Sequence, residues 1–274
     1  MTIKSILVHC DNDKFFAKRL NMAANLAQAH DAHVVGLFVI TPVQMPTYAA
    51  VPISQEIWDM VRQRSEEAAA KAKKNFEELT RRAGVSAEWR LREGPLADLI
   101  ADHALYADLV FLGQAGEPQE TGYVDFDLTG DVAFSSRRPV ITVPYAGKSE
   151  TIGRNVLVAW RPTAESSRAV HDALPILQKA ERVVVLTVNS KDEGDLPGAD
   201  ISQHLAQHGV RAEVRKAVAQ DMEVGNVILN EAADQNIDLL VMGAYGHSRT
   251  RELVFGGATR HLLHHMTVPV FMSR

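Results

Sequence analysis

The segment that decides the fold is residues 238–246, DLLVMGAYG, followed nine residues later by residues 256–259, GGAT. The apolar run predicts a buried strand, and the Gly-x-x-Gly at its end is followed by a Gly-Gly that opens a helix. Glycines let the backbone approach a ligand closely, and a helix N-terminus presents unpaired N–H groups with a positive dipole end. The spacing therefore suits a phosphate or another anion.

The front part of this segment occurs once before, 130 positions earlier, where residues 108–116 read DLVFLGQAG and align without a gap. Other stretches repeat in the same order, which predicts a duplication with one unit at 1–146 and another at 153–274. The matched pairs are residues 5–8 with 155–158, 34–37 with 183–186, 85–90 with 210–215, and 139–140 with 269–270.

Each half alternates short apolar strands with helical patterns. This order predicts parallel strands joined by right-handed crossovers, and hence two tandem open α/β sandwiches. The main difference is a long helix over about 55–83 in the first half, whose apolar stripe would cover the sheet or a partner. The second half has instead a loop at 192–197 and a short helix near 199–208. In such sheets, ligands bind beyond the carboxyl ends of the strands at the switch point.

Composition narrows the classes of function. The 274 residues carry a net charge of −5, so a nucleic-acid partner held by charge is disfavoured. A single cysteine, Cys10, excludes an internal disulfide framework and suits a reducing compartment. No apolar run approaches the roughly 18 residues of a membrane span, and no signal-peptide pattern opens the sequence. We therefore expect a cytoplasmic protein without a membrane partner.

With these motifs, the chain resembles the universal stress proteins over essentially its whole length, as a tandem pair. Nucleotide-binding members of that family carry Gly-x2-Gly-x9-Gly-(Ser/Thr) after the fourth strand. Gly243, Gly246 and Gly256 keep that spacing, with Gly257 at the Ser/Thr position. The resemblance implies an adenine nucleotide alpha-hydrolase-like fold. It also implies an intramolecular pseudo-dimer, with a pseudo-twofold relating the halves through their last strands, 140–143 and 268–271.

The family also carries an aspartate just after the first strand, which contacts adenine. This position is Asp11 in the first half and Arg161 in the second. A guanidinium cannot accept a hydrogen bond from an adenine amine, although it can pair with a phosphate. In the first half, thirteen residues separate Gly116 from Gly130, and Asp131 should repel an anion there. Neither half therefore carries the complete nucleotide set.

The resemblance implies ATP or AMP in the second half, with no metal beyond nucleotide-associated Mg²⁺. Asp11 is the candidate residue of the first half, although a carboxylate there can also cap a helix or be solvated. In the second half, the backbone N–H groups that would hold phosphates are those of Gly246, Gly257, Ala258 and Thr259. Gly243 and Gly256 complete the glycine pattern of this loop, and Val184 or Val185 would lie near the base.

The remaining polar residues predict no catalytic apparatus. Cys10 is interpreted as a small packed residue. The histidines named below are interpreted as lying on solvated helix faces rather than binding a metal. The favoured function is a stress-response nucleotide-binding or signalling protein with at most slow ATP hydrolysis. The alternative is a module for another small anion, a metabolite or a protein partner, and a further homodimer is also possible. The histidines in question are His204, His208, His261, His264 and His265.

Overall fold

The computed structural model describes residues 2–42, 54–114, 128–147, 150–189, 198–220, 222–244 and 257–274, without the side chains of Gly257 and Ala258. Several predicted features lie outside these residues. They are Gly116, Gly246, Gly256 and the loop at 192–197.

In the described ranges, ten strands alternate with eight helices, in the same order in each half. The first half contains β1 Ser5–Cys10, α1 Phe16–His30, β2 His33–Ile40, α2 Gln55–Ala83, β3 Ala87–Glu93, α3 Leu96–Ala104, β4 Leu109–Gly113, α4 Leu128–Ser136 and β5 Val140–Val143. The second contains β6 Asn155–Ala159, α5 Ala164–Leu177, β7 Arg182–Val188, α6 Ala199–Gln207, β8 Ala212–Ala217, α7 Val224–Asp234, β9 Leu239–Gly243, α8 Gly257–His265 and β10 Val270–Ser273.

The strands form one continuous sheet in the order β3-β2-β1-β4-β5-β10-β9-β6-β7-β8, which reads symmetrically from either end. Pairing is parallel within each half and antiparallel at the centre, where Thr142 lies opposite Val270 and Ile141 opposite Phe271. The predicted pairing of the two halves through their last strands is therefore confirmed. The two α/β units share a single ten-stranded sheet.

The sheet is buried on both faces, which explains why its inner strands are uniformly apolar. One core runs continuously across both halves beneath α1, α2, α5 and α6. The opposite face has two separate cores, one beneath α3 and α4 and the other beneath α7 and α8. The halves are therefore joined through the sheet and through one shared helical layer.

The long helix α2 packs on the sheet through only part of its length. Ala69, Ala72 and Phe76 are buried, and a Cβ atom on Gly36 would lie 2.5 Å from the Phe76 ring. Trp58 and Met60, in the first turns, are exposed. The predicted apolar stripe thus covers the sheet from about residue 69 onwards. None of the helices in the described part of the chain is both long and apolar enough to cross a bilayer.

The aspartate that opens the repeated segment anchors the first strand of each half. In the first half, Asp108 Oδ2 accepts hydrogen bonds from the backbone nitrogens of Lys4 and Ser5, at 2.7 and 3.0 Å. In the second half, the buried Asp238 carboxylate accepts from Thr151 Oγ1 at 2.7 Å and from three consecutive backbone nitrogens at 3.0 Å. Those nitrogens belong to residues 153–155.

Candidate functional site

The candidate site lies at the carboxyl edge of the sheet, where the strand order reverses. In the second half, β6 has β7 on one side and β9 on the other, so the switch point lies between β6 and β9. Arg161 follows β6, Gly243 ends β9, and α8 begins at Gly257. Thr259, in the first turn of α8, is buried. The arrangement brings Arg161 and Gly243 to adjacent strand ends.

Helix α5 begins directly against the end of β9. Thr163 caps the helix, because its Oγ1 accepts a hydrogen bond from the Ser166 backbone nitrogen at 3.3 Å. A Cβ atom on Gly243 would lie 2.6 Å from the Glu165 carbonyl carbon and from the Ser166 nitrogen. A side chain at position 243 would therefore collide with backbone. Close packing of a helix on a strand is sufficient to explain this glycine.

The two valines expected near the base lie deep in the sheet. Val184 and Val185 have no exposed surface and belong to separate cores on opposite faces. They precede the last residue of β7, Val188, by four and three residues, which is roughly 10 Å or more along a strand. The half-buried Val188 is the β7 residue at the carboxyl edge. The uniformly apolar sequence of β7 gave no sign of this difference.

Contacts from both halves hold α8 in position. His261 bridges to α7, with Nδ1 2.8 Å from Glu223 Oε2 and Nε2 2.7 Å from Asn226 Oδ1. Gln114 comes from the first half, and its Nε2 donates to the carbonyl oxygens of Leu263 and His264 at 2.8 and 3.1 Å. These are among the last carbonyls of the helix, which have no partner within it. Sequence reasoning missed both of these contacts.

The first half places a buried arginine beside Asp11. The Arg19 side chain is 2% exposed, and its Nη2 lies 2.7 Å from Asp11 Oδ2. Burial alone would raise the pKa of Asp11, but the charge of the adjacent Arg19 holds it below its usual value. Asp11 does not cap α1, since Phe15 occupies the N-cap position. The helix-cap interpretation of Asp11 is therefore wrong, and Arg19 is a partner that the sequence did not indicate.

The two residues that precede Asp11, His9 and Cys10, are buried and uncharged near pH 7. Burial lowers the pKa of His9 to about 4, against the opposing charge of Asp11, so the imidazole is neutral near pH 7. Burial raises the pKa of the Cys10 thiol well above its ordinary value. A reactive cysteine needs a lowered pKa and access to solvent. The side chain of Cys10 is buried, as expected for a small packed residue.

The side chains of three histidines in the second half lie close together, at the contact between two neighbouring helices. The ring centroids of His204 and His208 are 4.7 Å apart, and His171 lies 6.2 and 6.0 Å from them. Within the described ranges, no group of three or more His, Cys, Asp or Glu side chains is placed to hold a metal ion.

The fold and the switch-point geometry define a tandem α/β protein with a candidate small-ligand site at the carboxyl edge of its sheet. The model of the universal stress protein family matches residues 2–144 and again 153–274. Because these matches cover nearly the whole chain, the protein belongs to the universal stress protein family.

Three relatives are distant in sequence but match over nearly the full length of the chain. A universal stress protein of Synechocystis sp. is 24% identical over 294 residues, covering 99% of this chain and 100% of the relative. The solved structure of a universal stress protein from Archaeoglobus fulgidus has a TM-score of 0.76 at 18% identity, covering 100% of this chain and 97% of its own. A putative universal stress protein from Pseudomonas aeruginosa has a TM-score of 0.54 at 15% identity, covering 99% and 93%. At these identities, the structures establish the fold.

Proposed function

We propose that this chain is a cytoplasmic stress-response protein that binds an adenine nucleotide, ATP or AMP, in its second half. The observation that supports this most is the start of α8 beyond the switch point between β6 and β9. The N–H groups of the first helical turn have no partners within the helix, and the dipole favours an anion there. A phosphate group is the ligand chemistry that fits this position.

In this proposal, the backbone N–H groups of Gly257, Ala258 and Thr259 bind the phosphates, together with Gly246 and Gly256 of the preceding loop. Arg161 supplies a charge from the neighbouring strand. Its side chain is exposed, and it forms no ion pair with any other residue that the structure describes. A guanidinium pairs well with phosphate oxygens, and any Mg²⁺ would arrive with the nucleotide. The base lies at the carboxyl end of β7 near the half-buried Val188, because Val184 and Val185 are fully buried within the sheet.

Base recognition is expected to be weak. Arg161 stands where nucleotide-binding relatives carry the aspartate that contacts adenine, and it has no acceptor for an amine. Phosphate contacts, which every nucleotide offers, would then supply most of the affinity. We therefore expect ATP and GTP to bind within about tenfold of each other, the equivalent of roughly 1.4 kcal/mol.

Isothermal titration calorimetry with ATP, ADP and AMP tests the proposal. Gly246→Asp adds a carboxylate to the second-half loop and should abolish binding by repulsion. Gly116→Asp makes the same change at the aligned position of the first half, and it should leave binding unchanged. Arg161→Ala should weaken ATP binding by about tenfold, the scale of one charge-assisted contact. No binding at millimolar nucleotide, or an equal loss from both aspartate variants, would overturn the proposal.

A second candidate is a module for a different small anion, a metabolite or a protein partner. Two residues favour it. The exposed Arg161 replaces the aspartate that follows the first strand in nucleotide-binding relatives, and Gly257 replaces the serine or threonine of their glycine pattern. Mass spectrometry of small molecules released from the purified chain separates the two candidates. Recovery of an adenine nucleotide supports the first, and recovery of another anion supports the second.

Slow ATP hydrolysis is a subsidiary proposal of the first candidate. If the second-half loop carries it, purified chain should release phosphate from ATP faster than the Gly246→Asp variant does. Equal rates in the two proteins would remove this activity.

A further inference from the structure

The first half buries an arginine in a place where a charge is costly. Arg19 is 1% exposed as a residue, and its Nε and Nη2 atoms are enclosed without a hydrogen bond of good geometry among the described residues. Among the residues that the structure describes, it forms one ion pair, the 2.7 Å contact from Nη2 to Asp11. Burial of a guanidinium with so few hydrogen bonds requires an explanation, because desolvation of such a charge is unfavourable.

The guanidinium lies at the switch point of the first half, between the ends of β1 and β4. A Cβ atom on Gly113 would overlap Arg19 Nη1, so the guanidinium fills the space above that glycine. The Phe16 ring lies 5.6 Å from Arg19 Cζ and adds an aromatic face. Asp11, Gly113 and Phe16 together enclose a planar cation at the place where the second half has its candidate ligand edge.

The second half has no arginine at the position that corresponds to Arg19. With the alignment that pairs Asp11 with Arg161, Arg19 corresponds to Ala169, which has no exposed surface. There the backbone of α5 itself lies against Gly243, since an added Cβ atom would be 2.6 Å from the Glu165 carbonyl carbon and the Ser166 nitrogen. The halves therefore differ by a paired change, in which the first has Asp11 with Arg19 and the second has Arg161 with Ala169.

We propose that Arg19 is a built-in occupant of the first-half site. Its guanidinium takes the space beside Gly113 and pairs with Asp11, so no adenine nucleotide enters the first half. Shortening Arg19 should convert the first half into a binding site for a small guanidinium compound, since the remaining walls fit one. This inference concerns the first half and holds whether or not the second half binds a nucleotide.

Methylguanidinium chloride is the probe, and Arg19→Ala is the test variant. Calorimetry should show about one methylguanidinium bound per Arg19→Ala chain, with a rise in melting temperature relative to the same concentration of sodium chloride. Neither effect should occur in the unchanged protein or in Arg168→Ala, which shortens an exposed arginine of the second half. The double variant Asp11→Asn with Arg19→Ala should lose the effect. Folded Arg19→Ala that binds no methylguanidinium would overturn the proposal.

If Arg19→Ala does not fold, Arg19→Met answers the same question by keeping the volume and removing the charge. Adding Asp11→Asn to Arg19→Met should raise its melting temperature, because the half-buried carboxylate that has lost its partner is removed. A further decrease equal to that of Asp11→Asn alone would show that the two side chains are not coupled and would overturn the proposal. Nucleotide titration separates this proposal from the proposed function. Two nucleotides per chain would contradict a closed first half, whereas none would contradict only the proposed function.

Discussion

Gly243 and Ser166 touch through their backbones: a Cβ atom on Gly243 would lie 2.6 Å from the Ser166 nitrogen. The first glycine of the Gly-x-x-Gly pattern is therefore needed to seat α5 on β9, independently of any ligand. The α5 N-terminus is also close to the candidate phosphate edge, so this contact helps to define the shape of the site. Substitutions at position 243 will test packing first and binding second.

Gly243→Ala should destabilise the protein by about 2–3 kcal/mol, because the added methyl group meets backbone that cannot rotate away. Urea denaturation measures the change. Gly84→Ala is the control, since Gly84 has φ +69° but no atom within 4 Å of an added Cβ. It should cost about 1 kcal/mol from backbone strain alone. A Gly243→Ala midpoint equal to that of the unchanged protein would contradict the contact.

Thr163→Ala should lower the free energy of unfolding by about 1 kcal/mol, since it removes the side-chain cap of α5. Thr163→Ser keeps a hydroxyl and should remain close to the original stability. Urea midpoints of the two variants provide the measurement. If serine and alanine were equally destabilising, the threonine would act through its methyl group and not through the cap.

The sequence predicted the sheet well because parallel strands buried on both faces leave uninterrupted apolar runs. Residues 34–40 are an example, and they lie in β2, which is buried along most of its length. The repeat, together with the family resemblance, also led to the correct pairing of β5 with β10. The predicted long helix over 55–83 corresponds to α2, Gln55–Ala83. These features depend on local pattern and internal symmetry, which one sequence contains.

The site was harder to predict because its contacts join distant parts of the chain. Arg19 directly follows Lys18 in α1, and basic side chains of a helix usually extend to solvent at its surface. Its burial depends on Gly113, which is 94 positions away. Val184 and Val185 show a second limit. A uniformly apolar strand does not reveal which of its residues reaches the carboxyl edge.

His9 should make the protein less stable as the pH falls from 7 to 5. Its folded-state pKa is lowered by burial to about 4, whereas an unfolded histidine titrates near 6.5. Between these values the unfolded chain takes up a proton that the folded protein refuses, so stability is lost as pH falls through 6.5 and levels off below about 4. The expected loss from His9 alone is about 2 kcal/mol at pH 5.

Urea denaturation of His9→Gln at the two pH values isolates this contribution, because the variant should lose about 2 kcal/mol less than the unchanged protein. His30→Gln is the matched comparison. Burial first, and then the charges of Lys179 and Lys4, lower the pKa of His30 to about 4 as well. Salt screens the lysine contribution, so only the His30 effect should shrink at high ionic strength. An unchanged pH dependence in His9→Gln would contradict the neutral buried imidazole.

Gln114→Ala should destabilise the protein by about 2 kcal/mol, since two carbonyls at the end of α8 lose their donor and the Tyr145 nitrogen loses its acceptor. Gln114→Glu should be at least as harmful at pH 7, because it places a negative charge at a helix C-terminus. Gln178→Ala removes one exposed bond, to the His208 carbonyl, and should cost less. Urea midpoints decide between these outcomes. Equal effects at positions 114 and 178 would argue against a bridge between the halves.

Asp238→Ala should destabilise the protein by about 3 kcal/mol or more, which is more than the aligned change Asp108→Ala. Asp238 is 4% exposed and binds four donors, whereas Asp108 binds two backbone nitrogens. Each unpaired buried donor carries its own desolvation penalty, so the loss should follow the number of bonds. Denaturant unfolding of both variants measures the difference. Equal losses would mean that Thr151 and Gly153 gain nothing from this carboxylate, and that the aspartate fixes only the first strand of each half.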